Sequence, residues 1–354
     1  MKSQITILVS GVGFGSLGRE LIKAFQLAGK KYRIVAADMS PNSFGLYDTK
    51  YRYLIPSANS RNYIESLMKI CKKENVKAIV SGSEPEIVKV SKNTKLFKDN
   101  GIQVLLNPIK VIKKCSDKYE LYKFLKMKNL PCPYTFLFQN ESDFNKIQDY
   151  PVIIKPRSGS GSRNVFLAQD KMEAKFFTNY LRKYGSEPII QEHVSDYEGE
   201  FTVGVLYSGN GELVTSIAMK RLLVGGLSTR QIIINKQKRK KYVISSGISQ
   251  GLIDDFKEIR KMAEKYAKIL EADGPINIQC RKIGSKILPF EINPRFSGTT
   301  GARSLVGHNE PDIFCKYKLF KQIPKKISHK FGYVLRDMNE KFVSLSEISS
   351  IPKI

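Results

Sequence analysis

The sequence predicts a mixed chain: an N-terminal α/β domain on a parallel sheet, followed by an α+β body whose sheets are largely antiparallel. Two observations carry this. Residues 1 to about 110 alternate short apolar runs with helical patterns, the signature of a parallel sheet covered by helices. Beyond residue 131 the texture changes to runs rich in β-branched residues with glycine turns between them, as antiparallel strands require. The chain has 354 residues with 42% hydrophobic content, enough for sizeable cores and too apolar for extensive disorder.

In order, the apolar runs Ile5–Val9, Arg33–Ala37, Ala78–Ser81 and Ile102–Leu105 read as the strands of the first sheet. Between them, residues 60–76 space apolar side chains as a helix does. Residues 107–118 read as a linker, and 117–130 as an amphipathic helix stopped by Pro131 and Pro133. Residues 150–168 give strand, Gly/Ser loop and strand, with a helix over 170–185. Residues 188–235 read as successive strands with turns at Gly199, Gly209–Gly211 and Gly225–Gly226. Lys236 to Tyr242 is the densest basic run, and its place between two β-like runs predicts a charged hairpin connection. Residues 254–270 form the clearest helix, and 274–298 two strands joined at Gly284–Ser285. The last thirty or so residues are weakly patterned.

Composition narrows the function classes. The net charge is +26. The lysines are spread along the chain, which favours solvated faces over a nucleic-acid footprint. The five cysteines are scattered without a C-x-x-C, as expected of reduced thiols. The three histidines are far apart, which argues against a histidine metal site. No apolar run approaches a membrane span, and the first apolar stretch reads as a strand and not as a leader, so a cytoplasmic location is expected.

Gly13, Gly15 and Gly18 follow the first strand as G-x-G-x-x-G, and Asp38 stands twenty residues beyond Gly18. That is the fingerprint of a nicotinamide-dependent dehydrogenase, with Asp38 on a ribose hydroxyl. Two other stretches point elsewhere. In residues 152–165 a buried strand delivers Lys155 to a loop containing Gly159 and Gly161. Glycines let backbone N–H groups approach an anion, and the lysine adds charge. An ordinary hairpin with a polar turn would use similar residues. In residues 288–298, Glu291 and Asn293 alternate along a strand and so share a face. Pairing through Gly284–Ser285 would set Gln279 beside Glu291. Carboxylate and amide oxygens of this kind suit Mg²⁺ next to phosphates, and Arg295 is placed to contact a transferred group.

The order Lys118, Lys155 with its glycine loop, "IIQEHV", "GEFTV", Gln279 and "FEINPRFSG" resembles the ATP-grasp superfamily, within it the carbamoyl-phosphate-synthase-like carboxylate–amine ligases. The resemblance covers about residues 1 to 315. It implies a Rossmann-like pre-ATP-grasp domain over 1–110, one ATP-grasp lobe over 111–190, a second over 191–325 and an extension over 326–354. It further implies ATP and Mg²⁺ as cofactors and small carboxylate and amine substrates. Lys118 and Lys155 would contact phosphates, and the Gly159–Gly161 loop would close over them. Glu192 and the backbone of Val194 would hold the adenine edge, and Glu200 the ribose. Gln279, Glu291 and Asn293 would ligate Mg²⁺, and Arg295 would stabilise the phosphoryl group. Gly225 to Arg230 would be a second phosphate-adjacent loop. The N-terminal glycines then become a structural turn near the acceptor site, with Glu84 at the same sheet edge. A homodimer fits this family, whereas nucleic acid is not an expected partner. The dehydrogenase and a basic nucleic-acid-binding protein remain the alternatives.

Overall fold

A computed structural model describes residues 4–13, 16–159, 161, 163–195, 197–235, 240–325 and 327–354. The N-terminal alternation builds a parallel sheet of β1 (Ile5–Ser10), β2 (Tyr32–Asp38), β3 (Tyr51–Leu54), β4 (Ala78–Ser81) and β5 (Gln103–Val104), in spatial order β3-β2-β1-β4-β5. Helices α1 (Gly18–Leu27), α2 (Tyr63–Lys73), α3 (Glu84–Lys92) and α4 (Thr94–Asp99) connect or flank these strands. The strand order reverses between β1 and β4, and the crevice beyond their carboxyl ends is where such sheets place ligands.

The glycine motif sits there and closes on itself. Asp38 Oδ2 accepts from the backbone N–H groups of Val12 and Gly13 at 2.7 and 2.9 Å, and Oδ1 from Ser40 N at 3.0 Å. Asp38 is therefore the buttress of the turn, which corrects its reading as a ribose ligand. A Cβ on Gly18 would stand 2.3 Å from the carbonyl oxygen of Gly11, and one on Gly82 2.3 Å from Gly18 N. The glycines let three backbones meet; Gly15 lies outside the described residues. Gly18→Ala is expected to destabilise the chain by about 2–3 kcal/mol through overpacking. A melting temperature equal to wild type would contradict this.

Residues 107–118, read above as a linker, instead form α5 (Ile109–Ser116), which buries Val111, Ile112 and Cys115 at helical spacing. Helix α6 (Lys118–Met127) follows, its N-terminus capped by the Asp117 carboxylate. The next layer is a sheet of β6 (Thr135–Leu137), β7 (Val152–Pro156), β8 (Phe166–Ala168) and β9 (Pro188–Glu192), in order β6-β9-β7-β8, with α7 (Lys171–Lys183) packed on it.

The remaining strands are β10 (Gly199–Tyr207), β11 (Leu213–Arg221), the ribbon β12 (Thr229–Asn235) and β13 (Lys240–Ser245), then β14 (Gly251–Ile253), β15 (Pro275–Ile283), β16 (Lys286–Asn293) and β17 (Gly332–Val334). Apart from the ribbon they form one sheet, in order β16-β15-β10-β11-β14-β17. The short helix α8 (Gly225–Ser228) precedes the ribbon, and the ribbon's basic connection, 236–239, lies outside the described residues. Helix α9 (Lys257–Ile269) buries Ile259, Ala263, Tyr266 and Ala267, one apolar stripe, against β10 and β11.

Helices α10 (Thr300–Leu305) and α11 (Glu310–Phe320) return to α1, and Ile313, Phe314 and Cys315 of α11 join the core of the first sheet. After α12 (Leu345–Ser349) the chain pairs with the β3 edge: Leu54 N donates to Pro352 O at 2.8 Å and Ile354 N to Leu54 O at 3.2 Å. The same segment is tied down by Arg336–Glu20 at 2.9 Å and Arg52–Glu347 at 2.8 Å. Such docking needs no periodicity, which is why these residues looked unpatterned. Among the described residues no helix is long and apolar enough to cross a membrane, and all five cysteines are free thiols.

Candidate active site

The β15–β16 hairpin turns at Gly284–Ser285, where Ile283 pairs with Lys286 and Gly284 takes φ +55°. From the turn the pairing runs regularly as far as Cys280 and Pro289; Phe290 is then an extra residue on β16, and this one-residue shift sets Gln279 opposite Glu291 and Asn277 opposite Asn293. Directly paired residues share a sheet face, so Gln279, Glu291 and Asn293 share one. On that face β10 contributes Glu200 and Thr202, opposite Arg281 and Gln279. The pairing is irregular beyond Gln279, since Cys280 faces Pro289, and Phe290 is left without a partner in the ladder. Its carbonyl accepts from Lys155 Nζ at 3.3 Å.

Lys155 comes from the other sheet. Its ammonium also donates to Gln191 Oε1 at 2.8 Å, and Gln191 Nε2 donates to Thr135 Oγ1 at 2.9 Å. The polar chain thus crosses β7, β9 and β6 and fixes the amide's orientation. With two acceptors in place, Lys155 keeps one of its three N–H donors for a ligand. Only 6% of Lys155 is exposed. Burial, reinforced by neighbouring Lys118 and opposed by Glu291, pulls its pKa down to about 8.

Lys118, at the start of α6, donates to the carbonyl of Gly159 at 2.7 Å, and its backbone N–H to Arg157 O at 3.0 Å. Burial lowers its pKa, against the pull of Glu291 and Glu84. Gly159 and Gly161 adopt φ of +118° and +71°, which glycine takes without strain. Ser160 and Ser162 lie outside the described residues.

Two cavities meet here. One, of about 470 Å³, opens between α3, α5, α6 and β16, and its walls include Glu84, Glu291 and Asn293. The other, of about 90 Å³, lies between the two sheets and is bounded by Glu192, Val194, Val243, Gln279 and Arg281. Lys118, Lys155, Gly159, Gln191, Phe290 and Glu291 line both. A cationic junction carrying one carboxylate therefore joins a narrow slot to a wider chamber.

Glu192 ends β9 at the slot, its carboxylate accepting from Tyr134 N at 3.1 Å. The carbonyl of buried Val194 accepts from Arg281 at 2.9 Å. Glu200 is placed differently from its expected ribose role. It is 1% exposed, lines neither cavity, and pairs with Arg221 at 2.7 Å and Arg281 at 2.9 Å. Two cations saturate a carboxylate that could not otherwise be buried. In the structure Glu200 thus orients Arg281, whose guanidinium also donates to His193 Nε2 at 3.0 Å. Of the stretch Gly225 to Arg230, Leu227 to Arg230 line neither cavity.

Arg295 leaves β16 toward the N-terminal domain, where its Nε donates to Glu84 Oε1 at 3.0 Å. Glu84 lines the chamber, so the first domain supplies part of its wall. Sequence reading missed Gln191 and Arg281; Gln191 stands next to Glu192 in "IIQEHV", but only pairing across β6, β9 and β7 gives it a partner. Among the described residues there is no cluster of three His, Cys, Asp or Glu fit for a metal. The Gln279, Glu291 and Asn293 set has one carboxylate and two amides. It fits Mg²⁺ through the chemistry of the donor set: three side-chain oxygens on one sheet face border the two cavities, and no hydrogen bond among the described residues engages the Asn293 side chain.

A family model described as the ATP-grasp domain matches residues 115–299. The chain belongs to the ATP-grasp family. A model of the PylC-like N-terminal domain matches residues 7–105. The carbamoyl-phosphate synthase of Methanobrevibacter smithii is 23% identical over 248 residues, 67% of this chain and 62% of that protein. The carbamoyl phosphate synthase large chain of Buchnera aphidicola is 24% identical over 237 residues, 64% of this chain and 21% of that protein. The chain thus spans less than two thirds of the length of either. Among solved structures, N5-carboxyaminoimidazole ribonucleotide synthetase from Thermotoga maritima superposes with TM-score 0.60 at 17% identity, covering 92% of this chain and 77% of that one. N5-carboxyaminoimidazole synthetase from Staphylococcus aureus, complexed with ADP, gives 0.68 at 14% identity, covering 93% and 81%. These two likenesses concern the fold of this ATP-grasp chain.

Proposed function

We propose that the chain is an ATP-dependent ligase that activates a carboxylate as an acyl phosphate and joins it to an amine, releasing ADP and phosphate. The observation that carries this is the junction: Lys118, Lys155, Gly159 and Glu291 border both the slot and the chamber. ATP would lie with its base in the slot by Glu192 and Val194 and its γ-phosphate at the junction, the acceptor acid reaching it from the chamber. A carboxylate oxygen attacks the γ-phosphorus and the bond to ADP breaks. The amine then attacks the acyl carbon, phosphate leaves and the nitrogen loses a proton.

The chain's part is positioning and charge. Lys155 is held by Gln191 and Phe290, so its remaining donor is pre-oriented and no reorganisation is needed as charge moves. Lys118 is tied to the glycine loop, so loop position and phosphate contact are coupled. Arg295 lines neither cavity and is held by Glu84 in the chamber wall; it would steady the transferred group through its charge behind that wall. Gln279, Glu291 and Asn293 would hold Mg²⁺, which when bound neutralises phosphate charge. Closure of the Gly159–Gly161 loop would keep water from the acyl phosphate.

Nucleotide choice tests this at once. ATP with Mg²⁺ should raise the melting temperature by a few degrees near a hundred times Kd, where linkage is worth about 2.7 kcal/mol. NADH and NADPH should not. Stabilisation by NADH alone would sink the proposal. A screen of ADP release over acid and amine panels then identifies the substrates.

A further inference from the structure

The chamber is larger than a bare carboxylate requires, and the charge on its walls is uneven. Helix α3 enters the chamber wall at Glu84 and presents Val88, Lys89 and Lys92 along it. Glu84 is engaged by Arg295 at 3.0 Å, so that end of the stripe is neutralised. At the other end, neither Lys89 nor Lys92 has a carboxylate partner among the described residues. A lysine one turn further on differs: Lys95 pairs with Asp99 at 2.6 Å. Lys89 and Lys92 are spaced i, i+3 on one helix face, where like charges repel. An anion between them would relieve that repulsion. Leu121 and Leu125 of α6 supply an apolar wall to the same chamber.

Resting on the ligase reading above, we propose that the acceptor is a dianionic acid: its reactive carboxylate lies at the Glu291 end of the chamber, by the junction, and a second anionic group is held by Lys89 and Lys92. Phosphates at the junction account for Lys118 and Lys155. They leave the α3 lysines without a ligand, and a simple monocarboxylate would leave them so. A short apolar spacer between the two acidic groups matches Val88, Leu121 and Leu125.

The test is ADP release by the full chain with Mg²⁺ and ATP, using hydroxylamine as the amine so that any acyl phosphate is trapped as a hydroxamate. Matched straight-chain acids are compared: butyrate, valerate and hexanoate against succinate, glutarate and adipate, with 4-phosphonobutyrate as the phosphonate arm. At sub-saturating acid, at least one dianion should react ten or more times faster than its monoacid counterpart. The dicarboxylate and phosphonate arms distinguish which second group is preferred. Lys89→Ala/Lys92→Ala should raise KM for that dianion tenfold or more and abolish its advantage. The ATP-dependent melting shift should persist, and Lys89→Arg/Lys92→Arg should restore most of the preference. Equal rates with mono- and diacids, or an unchanged KM in the alanine pair, overturn the proposal while the ATP shift stands. So does a lack of reaction with every dianion. If ATP with Mg²⁺ produces no melting shift, the ligase reading itself fails and this one with it.

Discussion

Glu291→Gln is expected to lower acid-dependent ADP release by a hundredfold or more, the scale on which one electrostatic stabiliser of a transferring group is worth. The substitution keeps shape and hydrogen-bonding reach and removes one charge. Glu291 is the carboxylate of the Gln279, Glu291 and Asn293 set and borders both cavities. Its charge also supports the protonated forms of Lys118 and Lys155. Its loss should therefore raise the Mg²⁺ concentration needed for half-maximal rate as well as lower the maximum. The ligand-free protein should lose only a little stability: Glu291 forms no ion pair among the described residues, and what goes is its through-space support of the two lysines. Near-normal turnover in this variant, measured at saturating Mg²⁺, would remove Glu291 from the site.

Lys155→Met should weaken nucleotide binding well beyond its effect on stability. Loss of a charged hydrogen-bond donor costs about 1.5–3 kcal/mol, so ATP affinity should fall by roughly ten- to a hundredfold. In the ligand-free protein two effects oppose: the cost of burying the ammonium is removed, but Gln191 Oε1 and the Phe290 carbonyl lose their donor, so stability should change far less than ATP affinity. The pH dependence carries the same signature. Lys155 has a folded pKa near 8, below the unfolded value of about 10.4. Between these values the unfolded chain binds more protons, so Lys155 makes stability rise with pH. Below about pH 8 the cost of burying its charge is present in full. Phosphate binding favours the charged form, so ATP affinity should be flat below that pH and decline above it, toward tenfold per unit. Titrating ATP by calorimetry from pH 7 to 10 in wild type and Lys155→Met measures this; a decline of equal slope in both would assign it to another group.

How much of this was legible beforehand differs from residue to residue. Glu291 and Asn293 were visible as one face from strand alternation, and Gln279 as a residue of the strand paired with them; the turn alone would set Gln279 opposite Phe290, and the bulge that moves it opposite Glu291 left no mark in the sequence. Lys155 was visible as a lysine delivered by an apolar strand. The acceptors that hold it were not: Gln191 is a cross-sheet partner, and the Phe290 carbonyl is exposed by an irregularity in the ladder. Asp38 stood at the spacing of a nucleotide ligand, but the same spacing serves a carboxylate that caps its own turn. Glu200 was given its ribose role by the resemblance alone; Arg221 and Arg281, distant in sequence, converge on it only once β10, β11 and β15 pair. Helix α5 was read as a linker because Pro108 and its lysines outweighed three buried positions.

The most direct test of the account is a crystal structure of the chain with ADP and Mg²⁺. The account predicts the base in the slot beside Glu192 and Val194, phosphates at Lys118 and Lys155, and a metal bonded to Glu291 at about 2.1 Å. A nucleotide seated instead at the Gly11–Gly18 turn, or a nucleotide-bound metal more than about 3 Å from Glu291, would contradict it.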